Sequence, residues 1–383
     1  MRLQGASSLL HLLAISAAAA QAPASRGALA TGTYAITDVA VVPMTSDTVI
    51  HDATVIVRDG RIAEVGPSRG VRVPAAVRRV DGSGKFLIPG LADMHTHLYS
   101  DGETPDSVAP YELGVMVANG VTTTRLMIGT PEHLVLRRDV ALGRVLGPML
   151  WVASPQFAGQ AEENGVVVAT PEQARAAVRQ VVDAGYDFVK LTTDITPEVY
   201  DAVTEEARRR GIRVVGHVDP RVGVPRALAA GQHIEHLDGY FESVMADSAP
   251  SDLSISNYGI FKPRNWETLD HVDDAKVDRI AKATAKAGVW STPTLHLFNT
   301  AFGTGETDEE MRSRGDWSMI TPEIRRLYLG ARTKYWKQAA TEARRRRYVE
   351  VRNTLTRKIV EAGGKIMAGS ASPRRSPRCR TRC

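Results

Sequence analysis

Cysteine is nearly absent from this 383-residue chain: the only two, Cys379 and Cys383, fall among the last five residues. The body therefore has neither a disulfide framework nor a thiolate nucleophile. Aromatic residues make up only 6%, and past the start of the chain no run of eighteen apolar residues occurs. That argues against a stable membrane span beyond the N-terminal segment, so any membrane association would be peripheral. With 43% hydrophobic and 24% charged residues, the chain is neither collagen-like nor disordered, and its length suits one large or two ordinary domains. Charge excess is missing too once it is located. The formal net charge is +5, yet Pro373 to Cys383 hold five arginines and no acid, and without them the net charge is zero. The basicity describes a tail rather than a face able to neutralise phosphates, so nucleic acid is not an expected partner. The run Arg344 to Arg347 has Glu342 and Glu350 nearby and reads as a solvated helix face.

What is present starts with a leader. Arg2 precedes the apolar stretch from Leu9 to Ile15 and the small residues Ala17 to Ala20. A charged start, an apolar core and a small-residue exit predict a signal peptide over residues 1–22, cut near Ala20 or Ala22, and hence export to the periplasm or medium. An Ala-rich leader without targeting function is the alternative. From Tyr34 to Asp81 short strand-like runs follow one another, with Asp59-Gly60 between two of them. Those residues tolerate the positive φ of a tight type I′ hairpin turn. A small antiparallel sheet or β-sandwich domain is expected over residues 31–84.

From Lys85 the pattern changes to strand-like runs alternating with amphipathic helical ones. Strands are expected at Phe86 running on to Met94, Val121–Thr124, Met149–Val152, Phe188–Leu191, Arg213–Val215, Ile234–His236, Val289–Thr292 and Lys365–Met367. Helices such as Pro171 to Ala184, Pro197 to Arg210 with Thr196 as N-cap, and Asp274 to Ala287 lie between them and end near glycine. Eight such units predict an α/β fold, a (β/α)8 TIM-like barrel over residues 85–371 whose site lies at the C-terminal ends of its strands. Two long intervals, Tyr240 to Arg264 and Asn299 to Arg314, read as loop insertions over that site.

His95 and His97 sit two apart at the end of the first barrel strand, where period-two geometry puts both on one face. Neutral imidazole is a common zinc ligand, although two histidines at this spacing alone are weak evidence. Lys190 falls near the end of the fourth strand, His217 just past the fifth and His236 at the end of the sixth. Alternation places Phe188 with Lys190, Val215 with His217 and Ile234 with His236. Each has a structural reading of its own, as a salt-bridge partner or a satisfied polar strand end. Five nitrogen-bearing side chains at four strand ends of one barrel are hard to explain that way together. Tyr99, Tyr240 and His296 lie at or just beyond strand ends, where each could contact substrate or simply pack.

The segments Phe86-Leu87-Ile88-Pro89-Gly90-Leu91-Ala92-Asp93-Met94-His95-Thr96-His97, Asp187-Phe188-Val189-Lys190, Gly216-His217, Ile234-Glu235-His236 and Ala362-Gly363-Gly364 resemble the amidohydrolase superfamily, in its imidazolonepropionase-like and Xaa-Pro dipeptidase-like branch. The resemblance runs from about Tyr34 to Ser370. It implies a site with two divalent metal ions, usually zinc. His95 and His97 would hold the first, a carbamylated Lys190 would bridge, and His217 and His236 would hold the second. It also implies hydrolysis of a small amide or peptide-like substrate, linear or cyclic, by a metal-bridging hydroxide. A homo-oligomer is left open.

The resemblance fails at the end of the eighth strand. The family pattern there is Gly, then Ser or Thr, then Asp, whereas this chain reads Gly369-Ser370-Ala371. In the family that aspartate ligates the first metal and moves the proton between water and leaving group. Residues 372–383 form an aberrant basic tail that reads as a frame-shifted or truncated terminus, a genuine short variant being the alternative. The expectation is a metal-dependent amidohydrolase, or else a metal-binding remnant impaired by the loss of that carboxylate, for which Asp93, Asp194, Asp219 and Asp238 are the candidate substitutes.

Overall fold

The computed structural model describes residues 32–98, 108–161, 165–303, 307–322, 325, 326, 329 and 340–371. The expected leader and tail lie outside these residues, as does Tyr99. The chain opens with five strands, β1 (Thr33–Val41), β2 (Ile50–Arg58), β3 (Arg61–Pro67), β4 (Arg78–Asp81) and β5 (Phe86–Leu87). Asp59 and Gly60 both take positive φ, 49° and 71°, the conformation a type I′ turn demands, and β2 and β3 pair antiparallel across them. The expected antiparallel sheet or sandwich needs correcting. After β3 the chain crosses through residues 68–77 to the free edge of β1, where β4 and then β5 pair parallel to it. The result is one mixed sheet with Val39, Ala53 and Val55 in its buried face.

Phe86-Leu87 also departs from expectation. It belongs to this small sheet, and Pro89, which has no N–H to give a ladder, separates it from the first barrel strand. The barrel proper is β6 (Leu91–Thr96), α1 (Val108–Ala118), β7 (Val121–Leu126), α2 (Pro131–Ala141), β8 (Met149–Ala158), the short β9 (Gly165–Val167), α3 (Pro171–Asp183), β10 (Phe188–Leu191), α4 (Pro197–Arg210), β11 (Arg213–Gly216), α5 (Gly223–Ala230), β12 (His233–Glu235), α6 (Tyr240–Val244), α7 (Asp274–Ala287), β13 (Trp290–Thr292), α8 (Leu295–Phe298), α9 (Asp308–Ser313), α10 (Glu342–Glu361) and β14 (Lys365–Ile366). The strands pair in parallel in the order β6-β7-β8-β10-β11-β12-β13-β14. Backbone bonds from Met94 N to Ala368 O, 2.8 Å, and from Ala371 N to His95 O, 2.7 Å, join the last strand to the first. These contacts close the (β/α)8 barrel.

Helix ends follow their local chemistry. The Thr196 side chain accepts from Val199 N at the start of α4, and Gly211 and Gly288 end α4 and α7 in the left-handed conformation. Outward residues Val189 and Leu191 of β10 pack with Ala174, Val178 and Val181 of α3, each fully buried Val or Leu side chain contributing about 1.5–3 kcal/mol. Inward residues are unusually polar for a barrel: Arg125 and Glu235 pair across its middle, with the Trp151 and Phe188 rings nearby, tilted at 48° to each other. The two long insertions are not plain loops. The first folds into α6 and two 3-10 turns, burying Tyr240, Phe241, Trp266 and Leu269 in the main apolar cluster. The second contains α9 and a π-turn that buries Phe302.

Candidate active site

At the C-terminal mouth of the barrel four imidazoles form a continuous row. Ring centroids are 5.2 Å apart for His97 and His95, 4.3 Å for His95 and His236, and 5.0 Å for His236 and His217. His95 is fully buried, while His97, His217 and His236 are half-buried. Lys190, 1% exposed on β10, lies close enough for its charge to act on both His95 and His236. Desolvation, reinforced by Lys190, His97 and Arg125, holds His95 well below the usual imidazole range. Desolvation followed by the neighbouring His95, His217 and Lys190 does the same to His236. Both rings are therefore neutral near pH 7, the state in which a ring nitrogen keeps a lone pair.

The partners of these rings decide where that lone pair sits. His95 Nδ1 is 2.7 Å from Glu235 Oε2, and Glu235 Oε1 accepts from Arg125 Nη2 at 2.6 Å. His217 Nδ1 is 2.5 Å from Asp238 Oδ2. A carboxylate can only accept, so both rings donate from Nδ1 and present Nε2 as the free donor of electrons. His236 Nδ1 is 2.8 Å from Thr294 Oγ1, whose own proton goes to the Pro293 carbonyl. With the proton there, the hydroxyl accepts from His236 Nδ1, and the lone pair of that ring then also sits on Nε2.

His236 does not reach the row by strand alternation. Ile234, expected to share its face, packs outward with Val224, Leu228 and Leu237, so a continued strand would have sent His236 outward too. Left-handed backbone at His236, φ 58°, and Leu237, φ 54°, redirects the ring inward. Val215 with His217, and Phe188 with Lys190, follow the expected alternation, since Val189, Leu191 and Val214 are the residues that pack outward against helices.

Of the other expected residues, Tyr240 is fully buried with its hydroxyl on Thr284 of α7. It packs in the helix layer, because α6 turns its apolar face to α7, and it does not face the mouth. His296 is exposed on α8. Ala371 stands against His95 at the barrel seam with φ 47°. The four candidate carboxylates are already engaged: Asp93 with the backbone of His95 and Ser370, Asp194 with Arg221, Asp219 with Arg221 and Ile195 N, and Asp238 with His217. Sequence reasoning assigned no role to Arg125, Glu235, Thr294 or Arg352. A signal existed for Arg352, which falls on the buried stripe Tyr348, Val351, Leu355 and Ile359 of α10, where a charge is out of place.

Among the described residues no group of three or more His, Cys, Asp or Glu side chains is arranged to hold an ion as it stands. The donor chemistry nonetheless fits one. His95 Nε2 is buried without a hydrogen-bond partner, a costly state for a polar atom unless a ligand meets it, and His217 and His236 in the same row carry their Nδ1 on a hydrogen-bond partner as His95 does.

A model of the amidohydrolase family matches residues 86–321. The imidazolonepropionase of Cupriavidus pinatubonensis is 27% identical over 254 residues, covering 50% of this chain and 59% of that protein. The chain thus spans about three-fifths of that relative's length. A putative prolidase from Bifidobacterium longum superposes with a TM-score of 0.61 at 23% identity, over 89% of this chain and 74% of that one. A Xaa-Pro dipeptidase with bound methionine gives 0.59 at 19% identity, over 88% and 79%. At these identities the likeness is one of fold.

Proposed function

The chain belongs to the amidohydrolase family, and from that premise we propose that it hydrolyses an amide carbon–nitrogen bond, peptide-like or cyclic, at the histidine row. His95 and His97 on one side, His217 and His236 on the other, and a carbamylated Lys190 between them would hold divalent cations, zinc in the first instance, which supply Lewis acidity toward the amide carbonyl and activate water. The observation that carries this reading is the gathering of four imidazoles at the strand ends, three of them in one tautomer, around the unpartnered buried Nε2 of His95. Glu235 and Asp238 accept hydrogen bonds from Nδ1–H of His95 and His217 and so raise the basicity of Nε2. Arg125 neutralises Glu235 beneath the row and bonds the Met94 carbonyl at 2.7 Å and Thr292 Oγ1 at 3.2 Å, tying β6, β7, β12 and β13 together under the site. The test is a panel of dipeptides, N-acyl amino acids and cyclic amides, assayed with zinc and after chelation. Chelator-sensitive turnover of an amide is expected, and turnover indifferent to chelation would contradict the reading.

A second reading, a metal-binding chain impaired in turnover, is favoured by Ala371. An amine is a poor leaving group and must be protonated as its bond breaks. Such assistance is worth about a hundredfold to ten-thousandfold, and a methyl group cannot give it. The left-handed backbone at Ala371 is one that aspartate tolerates better than most residues, so Ala371→Asp should fold. Under this reading that variant gains turnover by about the same factor, whereas equal rates in the two chains would remove it. The composition of residues 1–22 supports export. Mature protein from a periplasmic fraction should begin near Gln21 or Pro23, and intact Met1 there would count against cleavage.

A further inference from the structure

His236 holds its place at a conformational cost, and the side chain that holds it comes from the far end of the chain. Its φ of 58°, that of Leu237, 54°, and that of Thr294, 47°, are left-handed values in non-glycine residues. For a β-branched threonine this is a true outlier, and such strain persists only where the surroundings over-determine it. The surroundings converge on one guanidinium. Arg352 Nη1 donates to the His236 carbonyl at 2.5 Å, and Nη2 donates to the Pro293 carbonyl at 2.6 Å. The Thr294 hydroxyl donates to that same Pro293 carbonyl at 2.8 Å and accepts from His236 Nδ1 at 2.8 Å. Backbone and side chain of His236 are therefore tied into one closed ring of hydrogen bonds that starts and ends on Arg352.

The placement of Arg352 is otherwise hard to account for. It is 1% exposed, it lies on the apolar stripe of α10, and among the described residues no carboxylate pairs with it. Its charge is accommodated by the two carbonyls, by the Tyr348 hydroxyl at 3.2 Å and by the Phe298 ring, whose centroid is 3.7 Å from the guanidinium carbon. A purely packing position on that stripe would take leucine or methionine without the desolvation of a cation. The planar fork of arginine is what can span two carbonyls from different strand ends.

We propose that Arg352 is a positioning residue that fixes the rotamer and the Nδ1–H tautomer of His236, keeping Nε2 turned into the histidine row. The proposal deepens the metal-site reading, and its first readout does not depend on a metal. In metal-free protein near neutral pH, long-range imidazole nitrogen spectra assigned with His236→Gln should show His236 as a single Nδ1–H tautomer. Arg352→Lys and Arg352→Met should populate the other tautomer, while His95, held by Glu235, keeps its own and reports an intact fold. A mixed tautomer for His236 in the parent, or an unchanged His236 in a folded Arg352 variant, would overturn the proposal. If neither Arg352 variant folds, Thr294→Ala decides in the same way, because it cuts the link between the guanidinium-held carbonyl and the imidazole. Zinc titration then separates the two readings. A roughly 10- to 100-fold weaker affinity in Arg352→Lys supports both, whereas a His236 response in a chain that binds no zinc upholds the positioning role and sinks the metal site.

Discussion

Burial keeps an imidazole neutral at both ends of β12, and only one end faces the site. His233, at the opposite end from His236, has a buried Nδ1 without a hydrogen-bond partner, and Arg213 Nη1 lies 3.3 Å from its Nε2. Desolvation, then the Arg213 charge, pushes it down to about 4. An unfolded histidine takes a proton near pH 6.5. The stability tied to the neutral ring is thus fully present above pH 6.5 and is lost as pH falls from there to about 4, about 3 kcal/mol across the window. His233→Gln should flatten that part of the acid limb, measured as urea midpoints at pH 7 and pH 4.5. A variant that loses stability as steeply as its parent would contradict the assignment. Glu235 gives the complementary case. Its carboxylate and Arg125 are both buried, so Glu235→Gln leaves a buried guanidinium uncompensated and should cost about 3–5 kcal/mol. The double change Arg125→Met with Glu235→Leu should cost less than Glu235→Gln alone, and a larger loss in the double variant would argue against a charge pair.

At the scale of elements, β10 and β11 approach so closely below His217 that one glycine is required. Gly216 has φ 128°, and a β-carbon there would meet the Leu191 carbonyl oxygen at 2.2 Å. Gly216→Ala should lower stability by at least ~1–3 kcal/mol from backbone strain alone. Gly143→Ala, also at positive φ but in open space, serves as the comparison for strain without the clash, and equal effects would remove the close approach from the account. The eight barrel strands were legible because period-two runs alternate with capped amphipathic helices, and Lys190 and His217 followed from that period. His236 was legible as a residue but not as a geometry, since no local pattern announces that a strand will turn left-handed after Glu235. The Arg125–Glu235 pair joins residues 110 apart, and only the closed barrel brings them together. Arg352 was masked by the arginines of the same helix that do face solvent, such as Arg346 on Glu342 and Arg347 on Glu350. For Tyr240 the sequence left substrate contact and packing both open, because a position shortly after a strand end does not reveal whether the next turn points to the mouth or to the helix layer.

Across the whole molecule, the barrel seam and the candidate site are the same place. Met94 and His95 bond to Ala368 and Ala371, so the end of the last strand both closes the sheet and stands beside the first imidazole of the row. We propose that this row and Lys190 together, five residues from four strand ends, form a divalent metal centre. Metal content is its most direct measure: full-length protein is stripped with chelator, reloaded with zinc, desalted and assayed for bound metal beside His95→Ala and His217→Ala variants of verified fold. The expected result is two zinc ions per chain in the parent, with a loss in each variant. Zinc content that stays the same in both variants would contradict it.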